Sequence, residues 1–171
     1  LIARARRRLD RVDGVNMTNT NSAELMALPG IDALRLLIAG KFAPPTIGAT
    51  MGFTLVEVEP GFAAFEGEPS ERVLNPMGAV HGGWALALID SCCGCAGHTL
   101  LPAGVGYGTV ETKVNFVRPI AANTGRLRAE GRVLAHGRTL ITAEGKLTDM
   151  NGKLYAHGTS TCMIVRPEKA K

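Results

Sequence analysis

Between Gly82 and Gly97 the sequence carries one formally charged residue, Asp90, in a stretch that is otherwise apolar on nearly every side. Trp84, Leu86, Leu88, Ile89, Cys92, Cys93 and several alanines recur through residues 82–101, and Pro102 and Gly104 then end the run. A helix that is hydrophobic all round has to be enclosed. Its longest apolar core, around Trp84 to Ile89, falls far below the roughly 18–20 residues that cross a bilayer. The enclosure is therefore expected to be protein, which makes the chain a soluble one, with neither a signal peptide nor a membrane partner.

The flanking sequence supplies strands to do the enclosing. Residues 47–58 and 62–68 alternate in the manner of β-strands and are joined by Glu59-Pro60-Gly61, a turn signal. Four more strand-like stretches follow at 107–118, 125–135, 138–148 and 153–165, punctuated by Asn123-Thr124-Gly125, His136-Gly137 and Asn151-Gly152, the last a strong hairpin signal. Ahead of them, Leu25, Leu28, Leu34, Leu37 and Ile38 recur at helical spacing, interrupted at Pro29-Gly30, with Asp32 placed to cap a second helix and Pro44-Pro45 closing the segment. The order predicts an α+β fold in which an antiparallel sheet wraps one long buried helix over about 82–101, behind an N-terminal helical segment. The expected division is a basic, disordered extension at 1–20, the helical segment at 21–45 and the main domain at 46–166.

A chain of 171 residues can bury such a core without metals or disulfides. Its net charge of +4 is concentrated at the start, where Arg4, Arg6, Arg7, Arg8 and Arg11 face only Asp10 and Asp13. Beyond residue 16 the body is nearly neutral, and a tail this short cannot supply a helix-turn-helix, so nucleic acid is not an expected partner. Cys92, Cys93 and Cys95 would diverge around one helical turn and lack zinc-site spacing. They are expected to be reduced, buried thiols in a cytoplasmic protein, and no metal or other cofactor is expected.

An unpaired ionised carboxylate in apolar surroundings costs several kcal/mol, so Asp90 must be paired, protonated or at the edge of a pocket. Seven residues separate it from Gly83, about 340° round a helix, which places the two within roughly 20° of one another. Gly94 shares that face. Free amides at a helix start favour negative charge, and Gly82 and Gly83 let a ligand approach them closely. An acyl carbonyl bound there would place its developing oxyanion on the Gly83 amide while Asp90 attacked the carbon or drew a proton from water. His81 can hold the loop or hydrogen-bond a substrate carbonyl, and Asn75 can orient a water or thioester oxygen or simply form a turn with Pro76.

Asn75-x₂-Gly78-x₂-His81-Gly82-Gly83-x₆-Asp90 resembles the signature of the phenylacetyl-CoA thioesterase-like branch of the hotdog-fold thioesterases, and Val114-Asn115-Phe116-Val117-Arg118-Pro119 resembles that family's third strand. The resemblance covers about residues 45–165. It implies hydrolysis of acyl-CoA thioesters by homodimers or homotetramers whose active sites are shared between subunits. It also implies Asp90 as nucleophile or general base, Gly83 as oxyanion donor, and Asn75 and His81 as positioning groups. Thr109 matches a third-strand Ser or Thr contributed from the facing subunit. Where some relatives carry a Ser or Thr one turn after the carboxylate, this chain has Gly94, which favours the Thr109 arrangement. Gly82, Arg118, His136, Gly137 and Arg138 are the candidates for binding substrate and CoA phosphates. Three other readings stay open: a hydratase using Asp90 with His98, a non-catalytic acyl-CoA-binding module, and a Cys95/His98 nucleophile pair.

Overall fold

The computed structural model describes residues 22–167, so the basic extension expected at 1–20 lies outside the described residues. Three short helices lead the chain: α1 (Ser22–Met26), α2 (Gly30–Ile38) and α3 (Thr46–Met51). Strands β1 (Phe53–Glu59) and β2 (Phe62–Gly67) follow, then a single 3-10 turn, then α4 (Gly82–His98). Strands β3 (Gly106–Phe116), β4 (Leu127–His136), β5 (Leu140–Asp149) and β6 (Leu154–Val165) complete one antiparallel sheet, ordered β1-β2-β4-β5-β6-β3. This is the hotdog arrangement, with α4 as the filling. Among the described residues, no helix is long and apolar enough to cross a membrane.

Helix α4 is enclosed as its composition demands. Trp84, Leu88, Ile89, Cys92, Cys93 and Ala96 are fully or almost fully buried, against Phe53, Phe65, Leu127, Ala129, Ala143, Leu147 and Ala156 from the sheet. Two glycines set how closely helix and sheet approach. Gly131 on β4 and Gly145 on β5 are register partners. A Cβ on Gly131 would sit 2.4 Å from the backbone carbonyl of Cys92, and one on Gly145 would lie 3.0 Å from Cys93 Sγ. The helix is tied at both ends as well. Trp84 Nε1 donates to the Met51 carbonyl at 2.7 Å, and buried Thr99 accepts from the Gly61 amide at 2.8 Å while donating to the Ala96 carbonyl at 2.6 Å.

The structure corrects the sequence reading at three places. Residues 47–51, read as the start of a strand, belong to helix α3: Pro45 precedes its first turn and Gly52, at φ 75°, ends it, so β1 starts only at Phe53. A proline before the first turn and a left-handed glycine after the last are helix boundaries that outweigh a short apolar alternation. Asp32 is no cap, because α2 starts at Gly30 behind Pro29; it lies in the first turn and pairs with Arg35 at 3.8 Å. Helix α4 stops at His98 rather than near residue 101, with the chain continuing in turns.

The close approach at Gly131 yields a stability prediction. Gly131→Ala forces a methyl into helix backbone that cannot swing aside, so it is expected to destabilise the fold by about 1–3 kcal/mol. Gly145→Ala meets side-chain atoms that can shift and is expected to cost less. Urea unfolding of the two variants beside the parent checks both the sign and the order.

Candidate active site

The two edge strands, β1 and β3, leave a gap along α4, and Asp90 opens into it. A cavity of about 580 Å³ occupies this gap. Its lining comes from α4 (Asp90, Ser91, Cys95), from Tyr107 on β3, from Phe53, Thr54 and Leu55 on β1, and from residues 34–49 of the N-terminal segment. Asp90 is half-buried and does not stand alone. Thr112 Oγ1 donates to Asp90 Oδ1 at 2.8 Å, and the single Ser160 hydroxyl proton is shared between Thr112 Oγ1 at 3.0 Å and the Glu111 carbonyl at 3.2 Å. Ser160 is 1% exposed, so this hydroxyl chain is anchored in the interior.

A β-bulge makes the Thr112 contact. Thr109 pairs with Cys162 and Thr112 with Ser160, and the register shifts between Thr109 and Glu111, leaving Val110 as the extra residue. In a regular strand, positions 109 and 112 face opposite sides of the sheet. The bulge turns both toward the helix. Thr109 Oγ1 lies 3.9 Å from Cys162 Sγ, one step along the strand from the Asp90–Thr112 pair. Thr112 is thus a site residue that strict two-residue alternation does not find; the signal available in the sequence was only the run of threonines on a strand beside the lone carboxylate.

At the helix start, His81 is the N-cap residue and its Nδ1 accepts from the Gly83 amide at 2.9 Å. The Gly83 N–H expected to face an oxyanion is therefore engaged within the protein. The Gly82 amide donates to no protein group among the described residues, and Phe116 closes over it, its ring 3.1 Å from where a Cβ on Gly82 would stand. Because Nδ1 accepts, a neutral His81 carries its proton on Nε2, which leaves that N–H as a donor. Asn75 Oδ1 accepts from the Met77 and Ala79 amides at 2.9 and 3.2 Å, and the Asn75 amide donates to the Ala79 carbonyl at 2.7 Å. Its carbonyl oxygen thus shapes the loop, and its Nδ2 is the group left to meet a substrate.

The glycine stripe is shorter than the helical wheel implies. Tyr107 lies across Gly94, where a Cβ would come within 2.7 Å of the tyrosine ring and hydroxyl, so the groove is closed there. The phosphate candidates separate too. Arg118 hydrogen-bonds the Leu154 carbonyl and lies over the Tyr155 ring, beyond the Phe116 end of β3. His136, Gly137 and Arg138 form the β4–β5 turn beside the Met163 end of β6, at the opposite end of the sheet. Within one chain these residues do not converge. Among the described residues, no three His, Cys, Asp or Glu side chains gather into a group that could hold a metal ion.

The Cys95 and His98 readings fare poorly against the geometry. Burial pushes the Cys95 thiol up to about 12, the wrong direction for a nucleophile. His98 packs its ring 5.5 Å from that of Tyr107, its Nδ1 is buried without a partner among the described residues, and no hydrogen bond joins it to Asp90 or Cys95.

With this geometry in place, the comparisons with known proteins fall into line. The description "Thioesterase superfamily" matches residues 77–156, the stretch from the site loop through β6's start. A candidate esterase of Saccharolobus solfataricus is 33% identical over 112 residues, 66% of this chain and 78% of its own length. A 1,4-dihydroxy-2-naphthoyl-CoA hydrolase of Listeria monocytogenes is 28% identical over 123 residues, 71% of this chain and 96% of its own. Among solved structures, a thioesterase-like phenylacetic acid degradation-related protein of Ralstonia eutropha superposes with a TM-score of 0.69 at 29% identity, covering 76% of this chain and 98% of that one. A thioesterase family protein of Silicibacter pomeroyi gives 0.69 at 27% identity, over 78% and 99%. The chain belongs to the hotdog-fold thioesterase superfamily, and its class of chemistry is thioester hydrolysis.

Burial lowers the His98 pKa from its ordinary 6.5. A folded-state value below the unfolded one gives stability that is present above about pH 6.5 and lost as pH falls through the lower folded value. The melting temperature is therefore expected to fall on acidification from pH 7 to 5, and His98→Gln is expected to flatten that fall. Equal slopes for parent and variant would count against a buried neutral imidazole.

Proposed function

We propose that this protein hydrolyses acyl-CoA thioesters to the free acid and CoA. The observation that carries the reading is Asp90: a carboxylate oriented by Thr112 at the wall of a largely apolar cavity, two turns along the helix from the unengaged Gly82 amide. Eight residues, about 12 Å of helix rise, part Asp90 from the Gly82 amide of its own chain, so a carbonyl whose carbon lies beside Asp90 takes its oxyanion donor from the helix N-terminus of a facing protomer, where an amide is best placed to take developing negative charge. Gly82 serves this role better than Gly83, whose amide His81 holds. Asp90 then either takes a proton from an attacking water or attacks the carbon itself. In both cases the C–S bond breaks and the CoA thiolate leaves. The outward Nε2–H of His81 and the free Nδ2 of Asn75 position the carbonyl and the water.

The working unit is a homodimer, or a tetramer built from dimers. Strand β3 is an edge strand of 11 residues, paired with β6 on one side and with no partner on its outer side among the described residues, and Val110 and Phe116 on it are 56% and 55% exposed. A long uncovered edge is a template for pairing. Antiparallel β3–β3 pairing about a two-fold axis sets the Thr109 half of one strand against the Phe116 half of the other, where Gly82 lies. The same two-fold brings Arg118 of one protomer to the end of the sheet that carries the partner's β4–β5 turn. This is the arrangement in which Arg118, His136, Gly137 and Arg138 could serve one CoA.

Release of CoA from a panel of acyl-CoAs tests the reading. Asp90→Asn is expected to lower kcat by about 10²–10⁴-fold; equal turnover by parent and variant would remove Asp90 from the chemistry. Tight acyl-CoA binding with no thiol released by the parent would favour the binding-module reading instead. Thr112→Val keeps the shape and removes the donor, and it is expected to lower kcat about tenfold, a hydrogen bond to a charged group being worth roughly 1.5–3 kcal/mol, with little change in KM. Thr112→Ser is expected to restore most of the loss.

A further inference from the structure

Resting on the thioesterase reading, we propose that the acyl group lies along α4 toward its C-terminal end and that residues 34–49 measure its length, which makes the substrates thioesters of uncharged acyl groups of medium length. The direction follows from the cavity. With the carbonyl carbon beside Asp90, the apolar space open to the acyl tail is the cavity that runs from Asp90 toward Cys95. From Asp90 to Cys95 the helix rises about 7.5 Å. The cavity follows it over that distance and is closed at the far end by Cys95, Tyr107, Leu34 and Leu37.

The wall chemistry selects the class. Leu34, Leu37, Ile47, Phe53, Leu55 and Phe65 supply apolar surface. Apart from Asp90, the charged residue on the lining is Glu66, and it is already held by Arg128 at 3.1 Å and Arg126 at 3.6 Å. Tyr107 stays a neutral phenol, since burial raises its pKa. Among the described residues no cationic group lines the cavity, so a terminal carboxylate on the acyl group would meet two carboxylates there and no described partner. A volume of about 580 Å³ falls in the range of pockets that bury a drug-sized ligand, and an acetyl group would leave most of that apolar surface wet.

The wall has a distinct origin in the chain. Leu34, Leu37, Pro44, Pro45, Ile47, Gly48 and Ala49 all precede the stretch 77–156 that carries the superfamily match. Leu37 is only half-buried where it helps close the far end, packed on the outside of the Leu34 cluster, so a larger side chain there has room to extend over the cavity. Leu37→Trp should shorten the cavity and leave Asp90, Thr112 and Gly82 untouched.

The test compares parent and Leu37→Trp on acetyl-, hexanoyl-, decanoyl- and succinyl-CoA. The parent is expected to favour decanoyl-CoA over acetyl- and succinyl-CoA by at least about tenfold in kcat/KM, since even one methylene in an apolar pocket is worth roughly tenfold or more. Leu37→Trp is expected to lose about tenfold on decanoyl-CoA and to change little on hexanoyl-CoA. A uniform loss across lengths, or a parent that prefers acetyl- or succinyl-CoA, overturns the proposal while leaving hydrolysis standing. Binding of the non-hydrolysable decyl thioether of CoA is measured in parallel. Weaker thioether binding in Leu37→Trp, with CoA itself unaffected, supports the acyl wall even if no thioester is cleaved. Unchanged thioether binding rejects it whatever the turnover.

Discussion

The closeness of α4 to the sheet is the constraint on which the rest of the molecule depends. Where Gly131 and Gly145 face Cys92 and Cys93, the helix backbone approaches to a distance at which no Cβ on Gly131 could be accommodated. Contact that tight fixes the rotation of the helix about its own axis as well as its height above the sheet. With Leu88, Ile89, Cys92 and Cys93 committed to the interior, Asp90 is left on the side that the sheet does not cover. The ties at Trp84 and Thr99 prevent the helix from sliding along its axis. Two glycines on strands far from the site in sequence therefore decide where the carboxylate points.

That placement would be costly without Thr112. A carboxylate at the edge of an apolar cavity needs a donor, and the bulge at Val110 provides one by turning Thr112 inward onto Asp90, with buried Ser160 behind it. The bulge sits on the sheet's exposed edge, where an extra residue is tolerated most easily. One local irregularity thus orients the carboxylate and also brings Thr109 to the helix-facing side of the strand that is free to pair with a second subunit. Geometry at the site and the shape of the edge are coupled through a single residue.

The enclosed helix and the lone charge were legible in the sequence because they rest on composition and on a 3.6-residue period, and the succession of elements along the chain followed from turn residues that act locally. Other features escaped for separate physical reasons. Residues 46–51 carry apolar side chains compatible with either period, and Pro45 and Gly52 decided the matter as helix boundaries. Thr112 lies out of phase with Thr109 in any regular strand, so only the bulge reveals it. A helical wheel shows which way Gly83 faces but not that the preceding side chain folds back to take its amide, as His81 does. The wheel puts Gly94 on the face of Gly83 and Asp90 but contains no Tyr107; that ring arrives from a strand thirteen residues further on and covers Gly94. Arg118 and Arg138 are pulled to opposite ends of the sheet by strand register, which no local pattern records.

The chain divides its labour unevenly. The stretch 77–156, matched by the superfamily description, contains His81, Gly82, Asp90 and Thr112, which with Asn75 just upstream are the residues proposed for the hydrolytic step. Much of the cavity wall comes from earlier residues, held over the site by the Trp84–Met51 hydrogen bond and by Leu34 packing on Val58, Ala63 and Ala96. These contacts touch α4 at its N-terminal turn and near Ala96, on either side of Asp90. Substitutions in the wall can therefore reshape the cavity while the glycine contacts at Cys92 and Cys93 continue to fix the carboxylate. A fold built this way lets the cavity change shape independently of the carboxylate, because the residues that orient Asp90 and those that line much of the cavity draw on different parts of the chain.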